Sequence, residues 1–290
     1  MKLVTFRHGG QTGAGFLDGD QIVVCATGDA SVTAVRDLIA EEDGPKRWLA
    51  MAGQAPRVAL GAATLLAPIP EPRRNIFCVG KNYRAHAAEF HASGFDSSAQ
   101  EQVPSAPVIF SKATTAVVGP DAPVRGSLDP TASVDYEGEL GVVIGKIAFQ
   151  VPEDAAMEHV FGFVIVNDVT SRELQRRHNQ WLIGKGLDSF CPMGPWLVTA
   201  DEVPDVGAME LTTRINGELR QNARVADLIF DIPTLIATLS RTMTLLPGDI
   251  IATGTPEGVG IGFKPPRYLN KGDRMAVSIT GLGVLENTIA

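Results

Sequence analysis

Acidic residues in two segments of the sequence have the types and the spacing of a metal site. Glu137 and Glu139 are two residues apart in SVDYEGELGVVIGK (133–146), and Asp168 ends the apolar run of FGFVIVNDVT (161–170). In a strand, residues i and i+2 lie on one face, so the two glutamates point the same way, about 7 Å apart. If Asp168 converges on them, the carboxylates form an oxygen site suited to Mg²⁺ or Mn²⁺. The alternative is a solvated edge strand with Asp168 capping a turn.

A histidine and a glutamate three residues apart suggest acid–base chemistry. His86 and Glu89 in GKNYRAHAAEF (80–90) become neighbours on a short helix. A carboxylate that holds one ring nitrogen of a histidine leaves the other free to act as a general base toward water. The spacing alone favours the other interpretation, which is a salt bridge on the helix surface.

Two glycine-containing segments add possible ligand contacts. Lys185 in QWLIGKGLDSF (180–190) is predicted in a glycine-flanked turn, as a solvated charge or as a cation near the acidic residues. The segment LLPGDIIATGTPEGVGIG (245–262) reads as a strand followed by a glycine-rich loop with amides that could bind an anion. It lacks G-x-G-x-x-G and opens no helix, which excludes a dinucleotide site of that type.

The elements that must position these residues are mostly short strands. Residues 1–25 read as strands with an Asp-Gly turn, and residues 31–53 have helical spacing interrupted at Gly44-Pro45. Residues 67–75 are proline-rich and predict a linker between a small N-terminal α+β domain (1–70) and a larger domain (71–290).

The larger domain is dominated by strands, with two helices expected at about residues 83–90 and 232–244. This density of strands predicts a mainly β member of the α+β class, with a mixed β-sandwich or roll. The polar segment 91–107 is predicted to be a long loop, mobile without ligand and acting as a lid.

Composition excludes several classes of function. The chain has 290 residues and a formal net charge of −8, so it carries no basic field for a nucleic acid or an anionic membrane. Its three cysteines are far apart, which indicates reduced intracellular thiols and neither a zinc site nor a disulfide frame. No segment approaches the about 18 apolar residues of a membrane span. A cytoplasmic protein is expected.

These motifs in combination resemble the fumarylacetoacetate hydrolase family, from about Asn75 to Ile289. The matching patterns are G-K-N-Y with a following H-x-x-E, D-Y-E-x-E-L, N-D-x-T-x-R-x-x-Q, K-x-x-D-x-F-x-P-x-G-P-W, R-I-N-G-E-x-x-Q and L-x-P-G-D-I-I-A-T-G-T-P-x-G-V-G. Fumarylacetoacetate hydrolase proper has a fourth acidic ligand where this chain reads NIFCVG (75–80). The chain therefore looks more like the smaller three-carboxylate members, which include the acylpyruvases.

The resemblance implies a role for three groups of residues. The metal ligands, for Mg²⁺ or Mn²⁺, would be Glu137, Glu139 and Asp168. The catalytic residues would be His86, Glu89 and Lys185, with the first two on a lid over the substrate. The contacts to substrate carboxylate and oxo groups would be Arg172, Gln175 and Thr255. The resemblance also implies a β-roll catalytic domain and a homodimer.

The expected function is C–C hydrolysis of an acylpyruvate-type 2,4-dioxo acid, of the fumarylpyruvate class, in aromatic catabolism. A divalent ion that binds a 2-oxo acid stabilises an enolate, and the His86–Glu89 pair would activate water. Oxaloacetate decarboxylation is the first alternative, and isomerisation of 2-hydroxyhepta-2,4-diene-1,7-dioate is the second. A binding protein without activity is a further possibility, although no ligand or catalytic position of the pattern is missing.

Other reactive residue types are assigned no role. Ser171 and Cys191 have no adjacent histidine–acid arrangement in sequence, and Cys191 is expected in the core. The remaining histidines are interpreted as surface or turn residues: His8, His91, His159 and His178.

Overall fold

The structure is a computed structural model that describes residues 1–95 and 103–290. The central part of the predicted 91–107 loop, residues 96–102, therefore lies outside the described residues. The first part of that loop was wrongly predicted, because residues 91–93 complete a helix that begins at Arg84.

Strands make up most of the regular structure. In chain order they are β1 (Lys2–His8), β2 (Gln11–Asp18), β3 (Gln21–Thr27), β4 (Arg57–Ala59), β5 (Thr64–Leu65), β6 (Ile76–Gly80), β7 (Val108–Lys112), β8 (Val117–Val118), β9 (Pro123–Val124), β10 (Val134–Asp135), β11 (Gly138–Ile144), β12 (Val160–Asn167), β13 (Thr170–Ser171), β14 (Cys191–Thr199), β15 (Glu210–Ile215), β16 (Glu218–Arg224), β17 (Ile250–Ala252), β18 (Arg274–Ile279) and β19 (Gly283–Ile289).

The α-helices are short. They are α1 (Ala34–Ile39), α2 (Gly44–Met51), α3 (Arg84–Ser93), α4 (Arg172–Arg177), α5 (Leu182–Lys185) and α6 (Ile232–Ser240). The predicted interruption of the helical spacing is confirmed, since α1 ends at Ile39 and α2 begins only at Gly44. Pro45 lies in the first turn of α2, a position that suits proline. Within the described residues, no helix has both the length and the apolar character needed to cross a membrane.

One large mixed sheet carries most of the structure, in the order β4-β3-β2-β1-β14-β12-β11-β17-β6-β7. A second sheet has the order β16-β15-β18-β19-β9, and β10 pairs with β13. Most neighbouring strands are antiparallel, while β17 and β6 are parallel. The predicted mainly β, mixed-sheet class is confirmed.

The N-terminal strands continue the large sheet, since Leu3 of β1 lies opposite Leu197 of β14. The first part of the proline-rich segment is buried, since Ala67 and Ile69 are 2% and 1% exposed and belong to the apolar core. The division of the chain at residue 70 stays a prediction.

Strand register brings the chemically interesting segments to one end of the sheet. Gly138 of β11 lies opposite Asn167 of β12, so the residues just outside both strands are neighbours. Ala252 at the end of β17 lies opposite Gly141 of β11. Strand β6 runs parallel to β17, and α3 follows it in the chain. Four separate stretches of sequence therefore meet at this end.

Candidate functional site

The predicted convergence of three carboxylates is present. Glu137, Glu139 and Asp168 each offer an oxygen atom, and these atoms lie within 4.8 Å of one another. The three residues are 4%, 1% and 0% exposed. The backbone N–H of Asp168 donates to the carbonyl oxygen of Glu137 at 2.8 Å, which fixes the two segments together. The alternative of a solvated edge strand was therefore wrong.

Two buried lysines partly neutralise the carboxylates. Lys185 Nζ donates to Glu137 Oε2 at 2.7 Å and to Asp168 Oδ2 at 2.8 Å. Lys112 Nζ donates to Asp168 Oδ1 at 2.6 Å and to the carbonyl oxygens of Val169 and Lys185. Of the two interpretations of Lys185, the cation near the acidic residues is therefore confirmed. Its predicted position in a turn was wrong, because Lys185 is the last residue of α5.

Sequence analysis missed Lys112. It is the last residue of β7, and it reaches the site because β7 pairs with β6 at the edge of the large sheet. A lysine that ends an otherwise apolar strand is a weak signal by itself.

The three carboxylates differ in their electrostatic environment. Burial favours the neutral form of Glu137, but the charges of Lys185 and Arg172 outweigh it and lower the pKa of Glu137 to about 2. Burial and the negative charges of Asp168 and Glu137 raise the pKa of Glu139 well above its usual value. The Glu139 carboxylate accepts the N–H of Gly254 at 3.0 Å. The cluster therefore has an excess of negative charge on its Glu139 side.

The residues present fit a divalent cation. The donor set consists of carboxylate oxygens, which hard ions such as Mg²⁺ and Mn²⁺ prefer. The Lys185 ammonium group lies between Glu137 and Asp168, where positive charge is needed. A cation binding to all three carboxylates would also relieve the repulsion that raises the pKa of Glu139.

The His86–Glu89 pair lies in the same region, with His86 buried and Glu89 half-buried. His86 Nδ1 lies 3.3 Å from Glu89 Oε2, and His86 is 4% exposed. Glu89 is also held by the backbone N–H of Gly258, at 3.1 Å from Oε1. Since Nδ1 is engaged, Nε2 is the ring nitrogen that can exchange a proton with a ligand. The interpretation as a surface salt bridge was wrong.

His86, Glu137 and Lys185 line one small cavity, which the other residues of the carboxylate cluster and Glu89 do not reach. The residues that line it are Val79, Gly80, Lys81, His86, Phe90, Phe110, Glu137, Arg172, Gln175, Trp181, Lys185 and Thr255. An aromatic wall closes one side: the ring of Trp181 meets Phe110 at 5.0 Å and Phe90 at 6.0 Å, measured between centroids.

Arg172, Gln175 and Thr255 lie on the cavity wall, where the resemblance placed them. Arg172 donates through Nη1 to Glu137 Oε1 at 2.6 Å and through Nε to Asp135 Oδ2 at 2.9 Å. Its Nη2 is buried and has no hydrogen-bond partner among the described residues. A buried, unsatisfied guanidinium nitrogen at a cavity is a donor suited to an anionic ligand.

Neither Cys191 nor Ser171 is placed to act as a catalytic nucleophile. Cys191 is fully buried, and burial raises the pKa of its thiol to about 12. Ser171 is also fully buried, and its hydroxyl lies 3.4 Å from the hydroxyl of Ser133. A protonated thiol is a poor nucleophile, and so is a buried serine beside Asp129, a carboxylate whose pKa is lowered by hydrogen bonds and which is therefore a weak base.

The carboxylates should differ in what they contribute to stability without metal. Asp168→Asn leaves the ammonium groups of Lys112 and Lys185 short of a buried partner and should lower the free energy of unfolding by about 3 kcal/mol. Glu139→Gln removes a repelled carboxylate and should leave that free energy unchanged or higher. Denaturant unfolding in the presence of a chelator measures both. Equal destabilisation by the two substitutions would contradict this account of the charges.

Comparison with known proteins gives consistent matches. A family model described as fumarylacetoacetate (FAA) hydrolase C-terminal matches residues 75–290. The oxaloacetate tautomerase YisK of Bacillus subtilis (strain 168) is 44% identical over 273 residues, which cover 94% of this chain and 87% of the relative.

Solved structures match over the whole chain. The fumarylacetoacetate hydrolase (EaFAH) from psychrophilic Exiguobacterium antarcticum has a TM-score of 0.82 and 39% identity, with 100% of this chain and 99% of that chain covered. The maleylpyruvate hydrolase from Sphingobium sp. SYK-6, solved with manganese(II) ion and pyruvate, has a TM-score of 0.79 and 32% identity over the same shares. The family model and these relatives together show that this chain belongs to the fumarylacetoacetate hydrolase family.

Proposed function

We propose that this protein is a divalent-metal-dependent enzyme that interconverts the enol and keto forms of a small 2-oxo dicarboxylic acid such as oxaloacetate. The observation that carries the proposal is the small cavity lined by His86, Lys185 and Arg172, together with the buried Nη2 of Arg172 that has no partner among the described residues. The 44% identity to an oxaloacetate tautomerase over most of both chains supports it.

Binding of the substrate would depend on charge. The Nη2 group of Arg172 is available to donate to a carboxylate, and Gln175 lies beside it, with its Oε1 3.3 Å from Arg172 Nη1. Thr255 also lines the cavity, and its hydroxyl oxygen accepts a hydrogen bond from Gln221 Nε2 at 2.8 Å. That bond fixes the hydroxyl oxygen and leaves its proton free to be donated to a ligand oxygen.

Conversion of enol to keto removes a proton from oxygen and adds one to carbon. Lys185 stays charged because Asp168 and Glu137 outweigh burial and raise its pKa, so it stabilises negative charge on the substrate oxygen. His86 Nε2 accepts the proton that leaves the enol oxygen and delivers a proton to carbon, since Glu89 holds Nδ1.

Glu137, Glu139 and Asp168 would hold the divalent ion. When bound, the ion supplies further positive charge for the developing enolate oxygen. The manganese(II) ion and pyruvate in the maleylpyruvate hydrolase structure support this choice of cation and of substrate class. The substrate panel compares the activity with Mg²⁺ and with Mn²⁺. The homodimer stays a prediction.

Hydrolysis of an acylpyruvate is a second candidate, favoured by one observation. The His86–Glu89 pair has the arrangement of a general base that activates water, a step that tautomerisation does not need. The similarity to a maleylpyruvate hydrolase supports this candidate as well.

A substrate panel distinguishes the candidates. Enol-oxaloacetate, a set of 2,4-dioxo acids and a 2-hydroxydienoate should be assayed with Mg²⁺, with Mn²⁺ and with EDTA, and oxaloacetate should also be monitored for loss of CO₂. We expect accelerated loss of the enol absorbance with either ion and none with EDTA. Release of pyruvate from a 2,4-dioxo acid at a higher kcat/KM would make hydrolysis the function. Full turnover by metal-free protein would contradict both candidates.

A further inference from the structure

Glu89 is held by a loop that is remote in sequence. Residues 254–262, here called the glycine loop, follow β17. The N–H of Gly258 donates to both carboxylate oxygens of Glu89, at 3.1 and 3.3 Å. A Cβ atom at Gly262 would overlap the Glu89 carboxylate, so glycine is needed there for Glu89 to take this position. The glycine loop therefore sets where the His86–Glu89 pair lies.

The glycine loop is fixed in turn by Asp135. Asp135 is fully buried, and its Oδ1 accepts the N–H of Gly260 at 2.6 Å while its Oδ2 accepts the N–H of Ile261 at 3.0 Å. Its neighbour in sequence, Tyr136, donates its hydroxyl to the carbonyl oxygen of Gly258 at 2.8 Å. Two consecutive side chains thus hold the loop at Gly258, the residue that contacts Glu89, and at residues 260 and 261 just after it.

The same carboxylate orients Arg172. Asp135 Oδ2 also accepts a hydrogen bond from Nε of Arg172 at 2.9 Å. Arg172 lines the cavity, and its Nη2 has no partner among the described residues. Asp135 itself does not line the cavity and is not among the three clustered carboxylates. One buried side chain thus connects the loop that holds the acid–base pair with the arginine that would bind the substrate.

We propose that Asp135 is a positioning residue that places Arg172 and the His86–Glu89 pair relative to each other, so that binding of the substrate carboxylate and alignment of the proton-transfer group occur together. This inference rests on the proposed function for its catalytic consequence. Its structural part, the connection of Arg172 through Asp135 to the glycine loop and to α3, does not depend on the substrate.

The test is Asp135→Asn. The two Asp135 oxygens accept N–H groups from Tyr136 and Gly260 on one side and from Ile261 and Arg172 on the other. In an asparagine, one of these two oxygens is replaced by an NH₂ group, which cannot accept a hydrogen bond. Whichever way the amide is oriented, one of the two pairs of N–H donors therefore loses its acceptor. Asp249→Asn is the matched control, because Asp249 is also buried and accepts from an arginine (Arg74) and a backbone N–H (Leu246), but does not line the cavity.

The first measurement is hydrogen exchange of the metal-free proteins. Asp135→Asn should speed exchange in residues 254–262 and 84–93 by about tenfold or more, the size expected for losing a hydrogen bond to a charged group. Asp249→Asn should leave both segments as in the wild type. If Asp135→Asn does not fold, Arg172→Gln replaces it and should speed exchange in residues 254–262.

The second measurement is calorimetric binding of oxalate to the Mg²⁺-loaded proteins, with kcat for the substrate found in the panel. Asp135→Asn should weaken oxalate binding by about tenfold and lower kcat as well. Gly262→Ala, which disturbs Glu89 but not Asp135, should lower kcat and leave oxalate affinity unchanged.

An unchanged rate of hydrogen exchange in residues 254–262 and 84–93 of Asp135→Asn would overturn the proposal. An exchange rate that rises equally across the whole chain in both Asp135→Asn and Asp249→Asn would also overturn it. A wild-type protein that binds no oxalate and turns over no substrate would overturn the proposed function. The exchange result would still decide the structural connection.

Discussion

Replacement of His86 by Ala is expected to lower kcat/KM for the conversion of enol-oxaloacetate by about 10²-fold or more, the range that a positioned general acid–base contributes. Glu89→Gln should lower it less, because glutamine can still hold Nδ1 but no longer stabilises a charged imidazole. Any hydrolysis of 2,4-dioxo acids should fall by a similar factor. Decarboxylation of oxaloacetate should fall much less, because loss of CO₂ needs positive charge more than a base.

The control for this series is His178→Ala, since His178 is exposed and does not line the cavity. All variants should be compared at saturating metal ion, with circular dichroism as a check on folding. If His86→Ala keeps wild-type rates for every reaction, the buried pair is structural, and proton transfer must be assigned to another residue.

Replacement of Lys185 by Met should lower the rates of tautomerisation, hydrolysis and decarboxylation together, by about 10²–10³-fold. All three reactions place negative charge on the oxygen of the 2-oxo acid, and Lys185 carries a positive charge at the cavity. The affinity for the divalent ion should stay the same or rise, because removal of the ammonium group frees Glu137 and Asp168.

This opposite behaviour of rate and metal affinity separates an electrostatic role from a structural one. Calorimetric titration with Mn²⁺ and steady-state kinetics on the same preparation measure both. A parallel loss of metal affinity and rate would mean that Lys185 mainly maintains the shape of the site, and the role proposed for it would be wrong.

The carboxylate site could be predicted because local geometry determines most of it. The i, i+2 spacing of Glu137 and Glu139 puts both on one face of a strand, and Asp168 ends the next long apolar segment. The structure adds that β11 and β12 pair with Gly138 opposite Asn167, which is what places Asp168 beside Glu137. The pairing of consecutive strands is common, so this part of the site follows from the sequence with few assumptions.

The residues that hold the site in place could not be predicted in the same way. Lys112 reaches Asp168 through the pairing of β7 with β6, and Asp135 meets the glycine loop across more than a hundred residues of sequence. Such contacts depend on which distant strands become neighbours, and periodicity carries no information about that. The four-residue helix α5 that ends at Lys185 is also too short to produce a recognisable hydrophobic pattern.

The central claim is that the Glu137, Glu139 and Asp168 site, together with Lys185, makes a 2-oxo acid enolise. Exchange of the C3 hydrogens of a 2-oxo acid with solvent deuterium, followed by proton NMR in D₂O, measures this step without reference to which bond is later broken. We expect rapid exchange with Mg²⁺ or Mn²⁺, little exchange with EDTA, and a rate near that with EDTA for Lys185→Met even at saturating metal ion. Exchange at the wild-type rate in metal-free protein, or in Lys185→Met, would contradict it.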